Sequence, residues 1–372
     1  MRFLSLFSVT EKISILAHTA ESFSHAMAER LGKGRVHASL VYQEFFRLGR
    51  LTAASPAFKN AQGIRAAILE NVDVSLLSLG EKKEEGKTGK FLAKTHDGLE
   101  VEFVQIPMQS GGTLCISSQV GCRMGCAFCE TGKMGLLRHL TTEEIVSQVY
   151  LARHHNQFSF RNLVFMGMGE PLDNYEAVMQ AVRVFNDSKG FGFGRRRMTI
   201  STSGCVEGID KLANQGGQAP NLAVSINAPS DELRNRLMPV NRQYDLKTLY
   251  EAMHRYCAKT GRQILIAYVL LRGQNDQMEH AVQLAEYLKG LNVKINLIPY
   301  NPQSRDRFQA PEVKTIEAFT QCLRQHGYYT LLRLTKGQDI MAACGQLGNL
   351  KLRKQLFENQ RDSLITLPAN SC

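Results

Sequence analysis

The chain has 372 residues, 44% hydrophobic and 21% charged, which suits one large globular domain with a smaller companion and excludes a disordered or fibrous chain. Its 45 Lys and Arg against 34 Asp and Glu leave a net charge of +11, a balance that favours polyanions such as nucleic acid or an anionic membrane surface. No apolar run is long enough to span a bilayer, MRFLSLFSVTEK lacks the apolar core and cleavage site of a signal peptide, and nine cysteines without a paired framework suit a reducing compartment, so the expectation is a cytoplasmic protein with no membrane partner.

Residues 1–30 read as amphipathic helix. After Gly32-Lys33-Gly34, a second helix, VHASLVYQEFFRLGRL, offers Val36, Leu40, Phe45 and Leu48 as core, and a third follows around Ala61 to Leu69. Arg35, His37, Arg47 and Arg50 lie along the second helix, so 1–80 is expected to be a small basic helical domain with an RNA-binding role. EKKEEGKTGK, at 81–90, is charged and glycine-broken and reads as a linker. FLAKT and LEVEFVQI then flank Asp97-Gly98 as a β-hairpin, placing linker and hairpin over 81–112.

From 113 to about 350 the pattern alternates strand, loop and helix. The strands are TLCISSQ, NLVFMG, RMTIST, NLAVSI, ILIAYVLL, VKINLIP and YTLLRL. Thr141 with Glu144 makes a capping box, and Asp245 caps a helix that stops at Gly261. Apolar, β-branched strands alternating with helices imply an α/β fold whose parallel sheet is covered on both faces. The chain is too short for eight units, so a partial barrel of about six is expected. The stretch from 351, KLRKQLFENQRD, reads as a charged tail.

Within this region 121–132 reads GCRMGCAFCETG. Cys122, Cys126 and Cys129 form a C-x3-C-x2-C run. Cubane iron–sulfur clusters take four cysteine thiolates, so three would leave one iron open to another ligand. A zinc site and three unrelated buried cysteines are the competing readings. Zinc motifs usually close with a second cysteine pair or histidines, and none follows here.

Barrel ligands sit at the C-terminal strand ends. Those ends carry Gly167-Met168-Gly169-Glu170-Pro171, Ser201-Thr202-Ser203-Gly204, Ser225-Ile226-Asn227 and Tyr300-Asn301-Pro302. Each alone is common turn chemistry; together they offer hydrogen-bonding groups to a polar cofactor. Cys115, on the first strand, can face the same cavity. Cys344 lies in the glycine-flanked loop KGQDIMAACGQL, where a reactive thiol and a small buried hydrophobe are both open readings. Cys205, Cys257 and Cys322 read as buried hydrophobes and Cys372 as an uninvolved terminal residue.

Six ordered motifs, SSQVGCRMGCAFCETGKMGLLRHLTTEEIVSQV, MGMGEPLDNYEAV, TISTSG, LAVSINAPSDELRNRLMPVN, NLIPYNP and DIMAACGQL, resemble the RlmN/Cfr family of radical S-adenosylmethionine (SAM) RNA methyltransferases. The resemblance runs from about 33 to 350. It implies a [4Fe-4S] cluster on Cys122, Cys126 and Cys129, and SAM contacts from Gly169, Glu170, Ser201, Ser225, Ile226, Asn227 and Asn301. It makes Cys344 the methyl-carrying cysteine, Cys115 the second catalytic thiol, which ends turnover in a disulfide with Cys344, and Glu102 the proton acceptor. The implied activity is methylation of an adenosine of 23S rRNA at carbon 2, with a tRNA adenosine beside the anticodon as a second target and two SAM per turnover. Arg195, Arg196 and Arg197 are expected to hold phosphates. A reductant such as flavodoxin or ferredoxin and a monomeric state complete the expectation. The alternatives are Cfr-type methylation at carbon 8, another radical SAM enzyme, and a non-catalytic iron–sulfur RNA-binding protein. Asn227 stands where the family usually has histidine, Met341 where it has aspartate, and Lys336 where it often has arginine.

Overall fold

A computed structural model describes residues 11–108, 111–303, 307–333 and 336–349. Part of the expected first helix (1–10), the tail from 351 and Cys372 lie outside them. Ten strands form one sheet in chain order: β1 (Ser78–Glu85), β2 (Thr88–Lys94), β3 (Glu100–Ile106), β4 (Gly112–Cys115), β5 (Phe160–Phe165), β6 (Met198–Thr202), β7 (Asn221–Ser225), β8 (Ile264–Leu270), β9 (Val293–Pro299) and β10 (Thr330–Leu332). The pairs from β1 to β4 are antiparallel and those from β4 to β10 parallel. Parallel neighbours need crossovers. Here each contains a helix: α4 (Thr142–Tyr150), α5 (Tyr175–Asn186), α6 (Val206–Ala213), α7 (Leu246–Thr260), α8 (Met278–Tyr287) and α9 (Val313–Gln325). Six β/α units followed by a last strand are the partial barrel expected from the alternating pattern.

Local signals act as read. Thr141 Oγ1 accepts from the Glu144 amide while Glu144 Oε2 accepts from the Thr141 amide. Asp245 accepts from the Thr248 amide, and α7 ends at Gly261 with φ +64°. The β2–β3 hairpin closes over 95–99, with Gly98 at φ +79°.

Two expectations change. The charged stretch 81–90 is no linker, because most of it is β1 and the start of β2, joined by a tight turn at Gly86. β1 is an edge strand lying almost wholly in solvent, where Lys and Glu keep an open edge from pairing with other chains. Among the described residues the N-terminal helices are α1 (Ala20–Leu31), α2 (Arg35–Leu48) and α3 (Gln62–Asn71), so of the expected first helix only the part from Ala20 is α-helix within 11–30. The buried face of α2 is also rotated from the expected one. Val36 is 71% and Leu48 59% exposed and Leu40 is half-buried, whereas Ala38, Val41, Tyr42, Phe45 and Phe46 are buried. Those five positions follow the i, i+3, i+4, i+7, i+8 stripe of a helix lying on a core. Phe45 stacks on Tyr150 of α4 at 4.4 Å and Phe46 meets Phe191 edge-on at 5.0 Å, which docks the helical unit on the barrel wall. Among the described residues no helix is long and apolar enough to cross a membrane.

Candidate active site

The parallel strands aim their C-terminal ends at one cavity, with about 1000 Å³ of free space including its open mouth. Cys122, Cys126 and Cys129 form one wall, Gly169 and Glu170 follow β5, Ser201 and Ser203 end β6, and Ser225 and Asn227 end β7. Cys344 and Gly345 line it next to the triad, with Gly345 O accepting from the amide of Glu130, the residue after Cys129.

The cysteine loop is pinned from several directions. The Cys122 amide donates to Gly135 O (2.9 Å), the Ala127 amide to Leu237 O (2.9 Å) and the Glu130 amide to Gly345 O (2.7 Å). Gly121, at φ +77°, has no room for a side chain, since a Cβ there would lie 1.9 Å from Gly135 O. Burial pushes the Cys126 thiol up to about 12 and raises Cys122 and Cys129 as well. Thiols so placed stay protonated until a metal displaces the proton, which is the chemistry of a cluster ligand. Among the described residues no three His, Cys, Asp or Glu side chains converge on a single ion.

Glu170 is buried, and burial raises its carboxyl above the usual range. Its oxygens accept from the Leu172 amide (3.1 Å), the Ser203 amide (2.7 Å) and Ser203 Oγ (2.8 Å). A fixed carboxylate beside serine hydroxyls matches the amino and hydroxyl groups of a nucleoside–amino-acid cofactor. Asn227 Oδ1 accepts from the Val269 amide (2.7 Å), so this side chain also joins β7 to β8.

The other expected residues lie behind the wall. Ile226 is fully buried, and Asn301 Nδ2 donates to Cys344 O (3.1 Å). Glu102 is buried, with Lys90 Nζ 2.9 Å from Oε1 and the Gly348 amide donating to Oε2 (2.8 Å). Its carboxylate thus ties the hairpin to the Cys344 loop. Glu85 does the same from β1, accepting from the amides of Gly337 (3.0 Å) and Asp339 (2.7 Å). Gln303 donates to Gly345 O (3.2 Å), Gln346 donates to Pro302 O (2.5 Å), and Lys90 Nζ reaches Met341 O (3.3 Å). These bonds carry Cys344 back over the strand ends. Cys115 is buried at the end of β4, and both it and Cys344 are free thiols. Burial pushes Cys115 up to about 12, the nearby Cys344 adds to that, and Arg333 opposes it.

Sequence reasoning missed Asn296 and Arg333, which also line the cavity. The signal was a polar residue inside an apolar strand, VKINLIP, and a lone arginine ending YTLLRL. Arg195–Arg197, expected to hold phosphates, precede β6 and so lie at the N-terminal end of the barrel, away from the cavity at the other end.

Residues 116–285 match the radical SAM superfamily. The chain is 62% identical over 343 residues to the probable dual-specificity RNA methyltransferase RlmN 1 of Protochlamydia amoebophila, covering 92% of this chain and 96% of that one. The chain belongs to the RlmN family of radical SAM RNA methyltransferases. The RlmN of Halorhodospira halophila is 45% identical over 77% of this chain and 80% of its own length. The crystal structure of a radical SAM methyltransferase from Sphaerobacter thermophilus superposes with a TM-score of 0.84 at 38% identity, covering 90% of this chain and 98% of that one. Two departures from the usual RlmN pattern have left-handed backbones, with φ +57° at Asn227 and +54° at Met341. Asparagine is among the non-glycine residues that tolerate this region best; nothing in the structure explains methionine at 341.

Proposed function

We propose that this RNA methyltransferase places a methyl group on carbon 2 of an adenosine in 23S rRNA, with a tRNA adenosine beside the anticodon as a second target, by way of a methylated Cys344. The observation that carries this reading is that Cys344 lines the same cavity as the cysteine triad, with Cys115 close enough to Cys344 for the two thiols to influence each other. A radical SAM enzyme acting on a small molecule, or a protein whose cluster is structural, has no need of that pair.

Cys122, Cys126 and Cys129 would hold the [4Fe-4S] cluster, and Gly169, Glu170, Ser201, Ser225, Ile226, Asn227 and Asn301 would hold SAM. When bound, the cluster supplies the electron that cleaves SAM, and SAM supplies the methyl group and the hydrogen-abstracting radical, two molecules per turnover. Cys344 takes the methyl group on sulfur and presents it to the adenine carbon, which is too poor a nucleophile to take it directly. Once that carbon is bonded to the Cys344 methylene, the adduct must give up one electron, for which the cluster would be the acceptor when bound, and one proton, which Glu102 or Cys115 accepts. The Cys115 thiolate then attacks the Cys344 sulfur. The sulfur–carbon bond breaks, the released carbon takes a proton to become the methyl group, and the two sulfurs remain as a disulfide for an external reductant to reopen. Glu102 also anchors the loop that carries Cys344, through the Gly348 amide. The target base must leave its stack to enter the cavity.

Anaerobic incubation with SAM, a reductant and either 23S rRNA or tRNA, followed by mass spectrometry of the digested nucleosides, tests the reading. The expected product is 2-methyladenosine. 8-Methyladenosine would move the enzyme to the Cfr type, and SAM cleavage without RNA methylation would remove the RNA reading. Cys126→Ala should lose most iron and all SAM cleavage; a variant with a full iron count would show that the triad is not the ligand set.

A further inference from the structure

At the N-terminal end of the barrel, a cleft of about 510 Å³ opens between β5 and the turn that precedes β6. Phe158, Phe160 and Phe193 line it, each half-buried. Their rings form a near-parallel run: Phe158 to Phe160 at 5.6 Å and 16°, Phe160 to Phe193 at 5.4 Å and 22°. Arg153, Arg161 and Arg197 stand exposed around the rings, and the Arg153 guanidinium lies 5.9 Å from the centre of Phe193. No acidic residue lines the cleft, and none of these arginines is ion-paired within the described residues. Beside it a second cavity of about 460 Å³, lined by Arg196, Arg262 and Lys294, continues the positive charge along the N-terminal ends of β6 to β9. The Nε atom of Arg262 is buried there without a hydrogen-bond partner. Arginines without an ion pair are usually scattered in solvent; here they border an aromatic run in which Phe160 and Phe193 pack against the core on one side and stay half-exposed on the other.

We propose that this cleft is a second RNA contact that grips an unpaired stretch of the substrate, with bases stacked on Phe158, Phe160 and Phe193 and phosphates on Arg153, Arg161 and Arg197. The pairing of a cationic groove with half-exposed aromatic faces is the chemistry of single-stranded RNA binding without sequence readout. An acidic protein would meet the arginines but leave the rings without a role. The cleft begins where β5 begins, roughly 17 Å of strand from the catalytic end. An RNA that reaches both must pass round the barrel wall, so the contact holds a folded substrate by a segment outside the target nucleotide. This inference rests on RNA being the substrate.

The test uses the full chain and a fluorescein-labelled oligo(A) decaribonucleotide, with anisotropy read at several salt concentrations. Arg161→Ala with Arg197→Ala, both exposed, should weaken binding and lower the slope of log K against log salt by roughly 1.4, about 0.7 for each phosphate contact on a single strand. Phe158→Ala should weaken binding about fivefold or more with the slope unchanged. Reductive SAM cleavage should be as in the wild type for both. In the wild type, 4-thiouridine-substituted RNA should photo-crosslink to peptides spanning 157–161 and 191–197. Unchanged decamer binding in both variants overturns the inference. So does polyphosphate competing as well as RNA per charge, which leaves the rings no part, or retention of flavodoxin that the double variant loses while decamer binding persists. Binding and crosslinking need no turnover. A wild type that crosslinks at the cleft yet makes no methyladenosine therefore sinks the activity proposed above and supports this contact.

Discussion

Replacing Cys115 with alanine should leave the enzyme covalently attached to its RNA. The variant keeps Cys344 and the cysteine triad on the wall of one cavity, so methyl uptake and addition to the base proceed. What it lacks is the thiol that attacks the Cys344 sulfur. The yield is then at most one adduct per protein, seen as a nuclease-sensitive mass shift on a denaturing gel. Cys344→Ala should give neither adduct nor methylated RNA, although SAM cleavage without transfer can continue. The environment of Cys115 adds a graded version. Burial and Cys344 hold this thiol up at about 12, and Arg333 is the charge that favours its thiolate. Arg333→Leu should therefore slow resolution and let adduct accumulate part-way, and raising the pH should clear it faster, because more Cys115 is then ionised. Two variants that merely lose stability to the same degree, with normal turnover in what remains folded, would end the two-thiol mechanism.

The strands of the barrel were legible because each is a short apolar run bounded by turn residues, and because burial on both faces demands that composition. Polar groups at four strand ends marked the cavity for the same reason, since little else tolerates serine, glutamate and asparagine beside a core. The edge strand β1 escaped because an exposed strand carries the charges of a linker: Lys82 pairs with Glu84 and Lys83 with Glu81 in solvent. The buried face of α2 escaped because its apolar residues occur on both sides, and only docking against Tyr150 and Phe191 selects one. The sequence places Cys344 in a loop but says nothing of where the loop goes. That is decided by Glu85, Lys90, Glu102, Asn301 and Gln303, which come from distant segments and meet the loop only in the folded chain. The place of the Arg195–Arg197 run follows from its order in the chain, since it precedes β6 and so lies at the N-terminal end of the barrel.

Arg234 should prove the least replaceable residue outside the cysteines. It is fully buried, and its guanidinium donates from Nη2 to Ser203 O (2.6 Å) and Ser225 O (3.2 Å), from Nε to Ile226 O (3.2 Å) and from Nη1 to Asn241 Oδ1 (2.8 Å). Its planar fork therefore joins the ends of β6 and β7 directly beneath the serines that line the cavity. None of its hydrogen-bond acceptors is a carboxylate, and burial lowers its pKa, so the cation is held by carbonyl dipoles and an amide rather than by an ion pair. Arg234→Met fills the space but leaves three carbonyls and an amide oxygen without this donor in a dry site. The expected loss is about 3–5 kcal/mol, a large share of the roughly 5–15 kcal/mol that keeps a domain folded. Arg234→Lys keeps a charge, but one ammonium lacks the reach and the planar spread to serve all four acceptors. That variant should fold with a lower melting temperature and bind SAM more weakly, because the ends of β6 and β7 are no longer locked together. Thermal melting of both variants, with equilibrium dialysis of SAM against cluster-loaded Arg234→Lys, gives the readout. If Arg234→Met melts like the wild type, the carbonyls have other donors and the fork is dispensable. If Arg234→Lys melts lower but binds SAM normally, Arg234 stabilises the barrel without shaping the cavity.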